Sequence, residues 1–200
     1  MTALIIVDVQ QDFLPGGRLA VPKGDAIIAV VNRIQSRYEI IALTQDWHPP
    51  DHLSFASNHP GRKPLETIEL DGVEQVLWPD HCTWDSPGAA LARELNYSRA
   101  AAIFRKGMDR RVDSYSAFFD NGRKRSTGLD AWLRGLGVDA VHVAGLAAEY
   151  CVAFTARDAV ELGFKTMILS DATKPLSIEA FSRSADELRQ GGVEIKPSAR

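Results

Sequence analysis

The residues able to do chemistry fall into a few short stretches of the chain. Val143–Ala156 reads VAGLAAEYCVAFTA: an apolar strand pattern closes at Ala140, Val141 and Val143, and Gly145 frees the chain to turn into a helix carrying Cys151 in or near its first turn. Unpaired backbone N–H groups there favour a thiolate, the form in which sulfur is a nucleophile. A cysteine on a helix that faces a sheet also reads as a small buried hydrophobe, so other residues must decide between the two. Asp8 follows the continuous apolar run Ala3-Leu4-Ile5-Ile6-Val7. It reads either as a turn or cap aspartate or as a carboxylate at the carboxyl end of a buried parallel strand, where open α/β sheets gather functional groups.

A second group lies in TQDWHPPDHLSFASNH, in which Asp46 and His48 stand at i and i+2 just after a strand. On extended backbone such spacing lets two side chains converge on one ion when a third ligand arrives from elsewhere. His48, His52, His59 and His81 crowd between 48 and 81, either as solvated loop histidines or as parts of a metal site. Trp78-Pro79-Asp80-His81-Cys82 supplies a flat aromatic and a third candidate ligand. Cys82 has no CxxC partner and reads as structural. Arg105-Lys106-Gly107 follow the carboxyl end of the apolar strand Ala100–Phe104, which puts Lys106 at the same sheet edge as Asp8 and Gly145. Behind it, Asp113–Phe119 form a loop whose aromatics serve as a pocket wall or as core.

The elements that must position these residues alternate. Strand patterns at Ala3–Val7, Glu39–Thr44, Ala100–Phe104, Val138–Ala144, Lys165–Ser170 and Val193–Ile195 are interleaved with helical spacing over residues 25–37, at Leu129/Trp132/Leu133/Leu136, over Glu149–Leu162, and at Ile178/Phe181/Ala185/Leu188. Gly137 and Gly163 stand where C-terminal helix glycines belong. The pattern predicts one α/β domain over residues 1–200, a three-layer α/β/α sandwich on a six-stranded, mainly parallel sheet. An irregular insertion at about 45–98 should lie over the carboxyl edge, since so long a loop is unusual unless functional.

Composition bounds the function classes. A chain of 200 residues, 45% hydrophobic and 24% charged with net charge −3, gives no reason to expect nucleic acid or an anionic membrane as partner. Two cysteines are too few for a disulfide framework. No cleavable leader and no spanning apolar run is read, so the expectation is a cytoplasmic protein.

In this order and at these separations, IIVDVQQDFLPGG, TQDWHPPDHLSF, WPDHC, FRKG with DSYSAFF behind it, and GLAAEYCV resemble the nicotinamidases of the isochorismatase-like cysteine hydrolase family, from the first strand to at least residue 175. The metal loop together with WPDHC narrows the likeness to nicotinamide and pyrazinamide deamidases. The resemblance implies a catalytic triad of Asp8, Lys106 and Cys151, with Lys106 and the helix N-terminus depressing the thiol pKa and Asp8 moving protons. It implies an oxyanion hole from the backbone N–H groups of Ala147 and Cys151, with a cis peptide at Leu146–Ala147. It puts a divalent metal on Asp46, His48 and His81, zinc first with iron or manganese as alternatives, gripping the pyridine nitrogen of nicotinamide. Phe13 and Trp78 would sandwich the ring and Tyr115 border the pocket. The implied reaction is metal-dependent deamidation of nicotinamide to nicotinate in NAD salvage, with pyrazinamide as a further substrate and homo-oligomerisation left open. The alternatives are a metal-free cysteine amidohydrolase of the same superfamily acting on a ureido or aliphatic amide, and a non-catalytic binding domain. The chain departs from the family pattern at Ala148-Glu149, where Thr-Asp is usual.

Overall fold

The computed structural model describes residues 1–198. Six strands form its central sheet: β1 (Thr2–Val7), β2 (Ile40–Asp46), and, after a separate hairpin of β3 (Thr67–Leu70) and β4 (Val73–Val76), β5 (Ala102–Lys106), β6 (Ala140–Leu146), β7 (Lys165–Lys174) and β8 (Glu194–Lys196). Their order across the sheet is β5-β2-β1-β6-β7-β8, and every neighbouring pair is parallel. The main helices are α1 (Ile28–Ile34), α2 (Leu129–Gly135), α3 (Ala153–Glu161) and α4 (Ile178–Gln190).

The unbroken apolar run of β1 follows from this arrangement, because alternate side chains must be buried on opposite faces of a parallel sheet. Leu4 and Ile6 pack with Ile27, Val31 and Ile34 at α1, whereas Ala3, Ile5 and Val7 pack with Leu129 and Leu133 of α2, Ala156 of α3 and Leu188 of α4. Each fully buried aliphatic side chain contributes roughly 1.5–3 kcal/mol. The sandwich of helix, sheet and helix expected from the alternation is therefore what forms, with a sheet that is wholly rather than mainly parallel.

Three local departures bear on the site. β2 runs on to Asp46, so this carboxylate ends a strand rather than beginning a loop. The stretch expected to be irregular contains the antiparallel hairpin β3–β4, turned at Asp71-Gly72 with φ of 51° and 81°. That dipeptide is a strong hairpin signal, but the flanking strands are short and carry Glu69 and Glu74, which hides them from hydrophobic periodicity. β7 is longer than expected, and its register against β6 shifts between Val143 and Gly145. The extra residues carry Thr173 to the Gly145 carbonyl, which accepts from the Thr173 hydroxyl at 2.7 Å.

Candidate active site

Strand order decides which chemical groups meet. The sheet reverses direction of growth at β1 and β6, and in such sheets the crevice lies beyond the carboxyl ends of the strands at that point. Asp46 ends β2 and pairs in register with Lys106 at the end of β5, and Asp8 follows β1 between β2 and β6. The fully buried Lys106 ammonium reaches Asp8 Oδ2 at 2.8 Å and Asp46 Oδ1 at 2.5 Å, donates to the Ser114 carbonyl at 2.8 Å, and stands 3.5 Å from Cys151 Sγ. Thr44 fixes the other Asp8 oxygen with a 2.5 Å hydrogen bond from its hydroxyl. Asp8 has φ of 48°, a left-handed conformation that aspartate tolerates better than most side chains and that ends the strand abruptly.

Burial dominates the electrostatics of this cluster. Desolvation raises the Asp8 carboxyl to about 6, helped by the nearby Asp46 charge and opposed by Lys106. Burial also pushes Asp46 upward, but the Lys106 charge and the two histidines outweigh it and hold Asp46 below the usual carboxylate range. Lys106 is desolvated too, yet two carboxylates on one ammonium raise its pKa well above the ordinary value, so it stays charged. For Cys151 the expectation of a depressed pKa is corrected. Burial raises the thiol well above its usual value, Lys106 only partly opposes this, and Asp8 and Asp46 raise it further. With these protein groups alone the resting sulfur is a thiol beside a carboxylate that can take its proton.

The turn that carries Cys151 opens with a cis peptide at Leu146–Ala147, where the family resemblance puts one. Gly145, with φ of 125°, precedes it, and a Cβ there would lie 2.0 Å from the Val7 carbonyl, so β6 can pass β1 this closely only as glycine. The continuous helix expected over Glu149–Leu162 instead begins with a single wide π-helical turn, Ala148–Val152, before α3. Cys151 thus sits in a first turn, where N–H groups lack intrahelical acceptors and can face an anion. The Ala147 and Cys151 side chains both line the crevice.

Asp46, His48 and His81 are buried with one donor atom of each within 4.8 Å of the others. The His48 and His81 Nε2 atoms lie 3.8 and 3.9 Å from Asp46 Oδ2. Their Nδ1 atoms face the Gly107 carbonyl at 2.9 Å and the Pro79 carbonyl at 2.8 Å, which turns both Nε2 atoms toward the carboxylate. The His48 Nε2, wholly buried, has no hydrogen-bond partner among the described residues. One carboxylate and two imidazoles with an orphaned nitrogen fit a divalent cation of the zinc, iron or manganese kind. Two residues outside this expected set support it. Gln10 clamps the Asp46 backbone, accepting from its N–H and donating to its carbonyl, each at 2.8 Å. His52 packs 4.5 Å from the His48 ring with its own Nε2 unpartnered, and burial beside His48 lowers its pKa to about 4, leaving it neutral. Gln10 could be suspected only from its place two residues after Asp8, because its partners come from a strand 36 residues away. His59 is not drawn in; its Nε2 lies 2.8 Å from the Leu53 carbonyl. Cys82 is buried beside His81; its N–H donates to Asp12 Oδ2 at 2.7 Å and its carbonyl accepts from the His48 N–H at 3.0 Å, so its backbone braces the loop that carries His48.

Phe13, Trp78 and Tyr115 all line a narrow cleft shared with Asp46, His81 and Cys151. The Trp78 indole N–H donates to the Tyr115 hydroxyl at 3.2 Å, and the Trp78 ring meets Tyr150 edge-on at 4.9 Å. Gln75 of β4 donates to Asp113 Oδ2 at 3.2 Å, so the hairpin braces the loop whose Ser114 carbonyl holds Lys106. A buried thiol, a carboxylate near neutrality, an ammonium, free N–H groups and an apolar slot beside a cation site are together suited to acyl transfer from a small aromatic amide.

Residues 2–199 match the Isochorismatase domain. The chain is 49% identical over 181 residues to a nicotinamidase of Escherichia coli (strain K12), covering 88% of this chain and 84% of that one. Among solved structures, a nicotinamidase/pyrazinamidase of Acinetobacter baumannii superposes with a TM-score of 0.96 at 45% identity, covering 98% of this chain and 95% of that one. A Pyrococcus horikoshii pyrazinamidase in complex with zinc superposes with a TM-score of 0.80 at 36% identity, covering 98% and 99%. With the fold, the sheet-edge cluster and near full-length likeness in agreement, the chain belongs to the isochorismatase family, among its nicotinamidases.

Proposed function

We propose that the protein is a metal-dependent cysteine amidohydrolase that converts nicotinamide to nicotinate and ammonia, accepts pyrazinamide in the same way, and serves NAD salvage in the cytoplasm. The observation that carries this reading is the convergence of the Asp8 carboxylate and the Cys151 thiol on the Lys106 ammonium, beside the donor set of Asp46, His48 and His81. Asp46, His48 and His81 would hold a divalent ion, which when bound would supply a Lewis-acid anchor for the ring nitrogen.

In the first half-reaction Asp8 takes the Cys151 proton as Sγ attacks the carboxamide carbon, and Lys106 steadies both partners. The N–H groups of Ala147 and Cys151 receive the charge that develops on the carbonyl oxygen. Asp8 then gives the proton to the amide nitrogen, the C–N bond breaks, ammonia leaves, and a thioester joins the acyl group to Cys151. In the second half Asp8 removes a proton from water as its oxygen attacks the thioester, and returns that proton to sulfur as nicotinate leaves. Phe13 and Trp78 sandwich the ring and Tyr115 borders the pocket, so that the carbonyl carbon meets the sulfur in a reactive geometry.

The test is ammonia release from nicotinamide, pyrazinamide and benzamide by zinc-loaded and chelator-treated protein. Benzamide, which lacks the ring nitrogen, should be a much poorer substrate than nicotinamide. Comparable kcat/KM for the two in zinc-loaded protein would refute a substrate-gripping ion, and activity on nicotinamide indifferent to chelation would favour a metal-free amidohydrolase.

A further inference from the structure

Glu149 stands two residues before Cys151 in the π-helical turn, and is only 7% exposed. None of the lysines and arginines among the described residues pairs with it. Its two oxygens accept backbone N–H groups, Oε2 from Leu176 at 3.1 Å and Oε1 from Ser177 at 2.6 Å. These residues form the short link between β7 and α4, and Ser177 caps α4 by accepting the Ala180 N–H at its Oγ, at 3.2 Å. Leu176 is half-buried and lines the same cleft as Phe13, Trp78 and Cys151. Ile178, the first residue of α4, is 75% exposed, whereas Leu176 packs partly against the hydrophobic core. One buried carboxylate therefore ties the turn of the nucleophile to a wall of the substrate cleft, with charge-assisted bonds stronger than neutral ones.

We propose that Glu149 is a positioning and specificity-determining residue: by gripping the Leu176 and Ser177 N–H groups it fixes Leu176 as the wall that limits which ring substituents the cleft accepts. The inference rests on the reading of the cleft as a site for small aromatic amides. Without the grip, the link can move outward, Leu176 recedes, and a substituted ring enters that the native protein rejects. A single methyl group in an apolar pocket is discriminated by about 10–200-fold, which sets the range available to lose.

The experiment compares nicotinamide with a ring-methylated nicotinamide in the wild type, Glu149→Gln, Leu176→Ala and the double variant. Glutamine keeps the length but turns one acceptor oxygen into a donor. Glu149→Gln should lower the preference for the unmethylated ring several-fold, with KM for nicotinamide rising more than kcat falls. Leu176→Ala should lower the preference in the same direction, and the double variant should discriminate no less than Leu176→Ala alone, because Glu149 acts through Leu176. Glu149→Asp, which keeps both acceptors on a shorter arm, should lie between wild type and Gln, and it stands in for Gln if that variant does not fold. Amide hydrogen exchange at Leu176 and Ser177 should quicken about tenfold or more in Glu149→Gln. Unchanged discrimination, or effects of the two substitutions that multiply independently, would overturn the proposal. If the wild type does not hydrolyse nicotinamide, the functional reading fails, and exchange decides alone: unaltered protection at both amides overturns the grip, whereas lost protection upholds it.

Discussion

Replacing Lys106 by methionine keeps the length and apolar body of the side chain and removes its charge. In the native protein that charge is fully buried, 2.8 Å from Asp8 and 2.5 Å from Asp46. Its removal leaves two carboxylates facing each other in a desolvated site. Breaking a buried ion pair from one side costs about 3–5 kcal/mol. For a chain of this size each kcal/mol corresponds to about 2–4 °C in Tm, so metal-free Lys106→Met should melt about 6–20 °C below the metal-free wild type at neutral pH. The sign with pH follows from the same groups. Without the ammonium the folded-state pKa values of both carboxyls rise relative to the wild type, so the deficit grows as pH rises through them and shrinks as pH falls and they take up protons. Deamidation should collapse as well, because Asp8, already raised to about 6, rises further once Lys106 no longer opposes burial, and is then protonated at neutral pH. Urea unfolding and ammonia release, each from pH 5 to 8, measure both effects. A variant that matches the wild type in stability across that range would refute the claim that Lys106 neutralises two buried carboxylates.

Cys151→Ala should abolish ammonia release without loss of bound metal, whereas Cys82→Ala, at a buried thiol outside the cleft, should keep most of it; equal losses measured in the two variants would reverse the roles given to them. The acid limb of kcat/KM for nicotinamide should reflect Asp8, falling as pH drops through about 6 because the general base must be unprotonated, and Asp8→Asn should cost about 10²–10⁴-fold; a flat profile from pH 5 to 7 would move proton transfer elsewhere. Gly107→Ala should reduce zinc content, since φ is 68° and the new Cβ would stand 2.3 Å from His48 Cε1; undiminished zinc by elemental analysis would show that His48 can give way without leaving the ion.

Much of this protein was legible in its sequence. Apolar runs with period-2 and 3.6-residue patterning are local consequences of burial, so β1, β2, β5, β6 and the helices that cover them could be read within a few residues of their ends. The residues most suited to chemistry also announced themselves, because Asp8, Lys106 and Cys151 each follow an apolar strand and a parallel sheet gathers such ends on one edge. The Asp46-x-His48 pair was visible for a similar reason.

Tertiary structure decided what those residues are to one another. Sheet order, not spacing, sets Lys106 between Asp8 and Asp46 and so leaves one charge shared by two carboxylates. Desolvation is a property of the assembled core, which is why the Cys151 thiol, expected to be acidic from its place at a helix start, is raised instead. The parts played by Gln10, Asp113 and Glu149 cannot be read from the sequence, since their partners lie 36, 38 and 27–28 residues away and meet them only after folding. Local pattern reports which side chains seek the interior; long-range contact alone determines which charges and hydrogen bonds they find there.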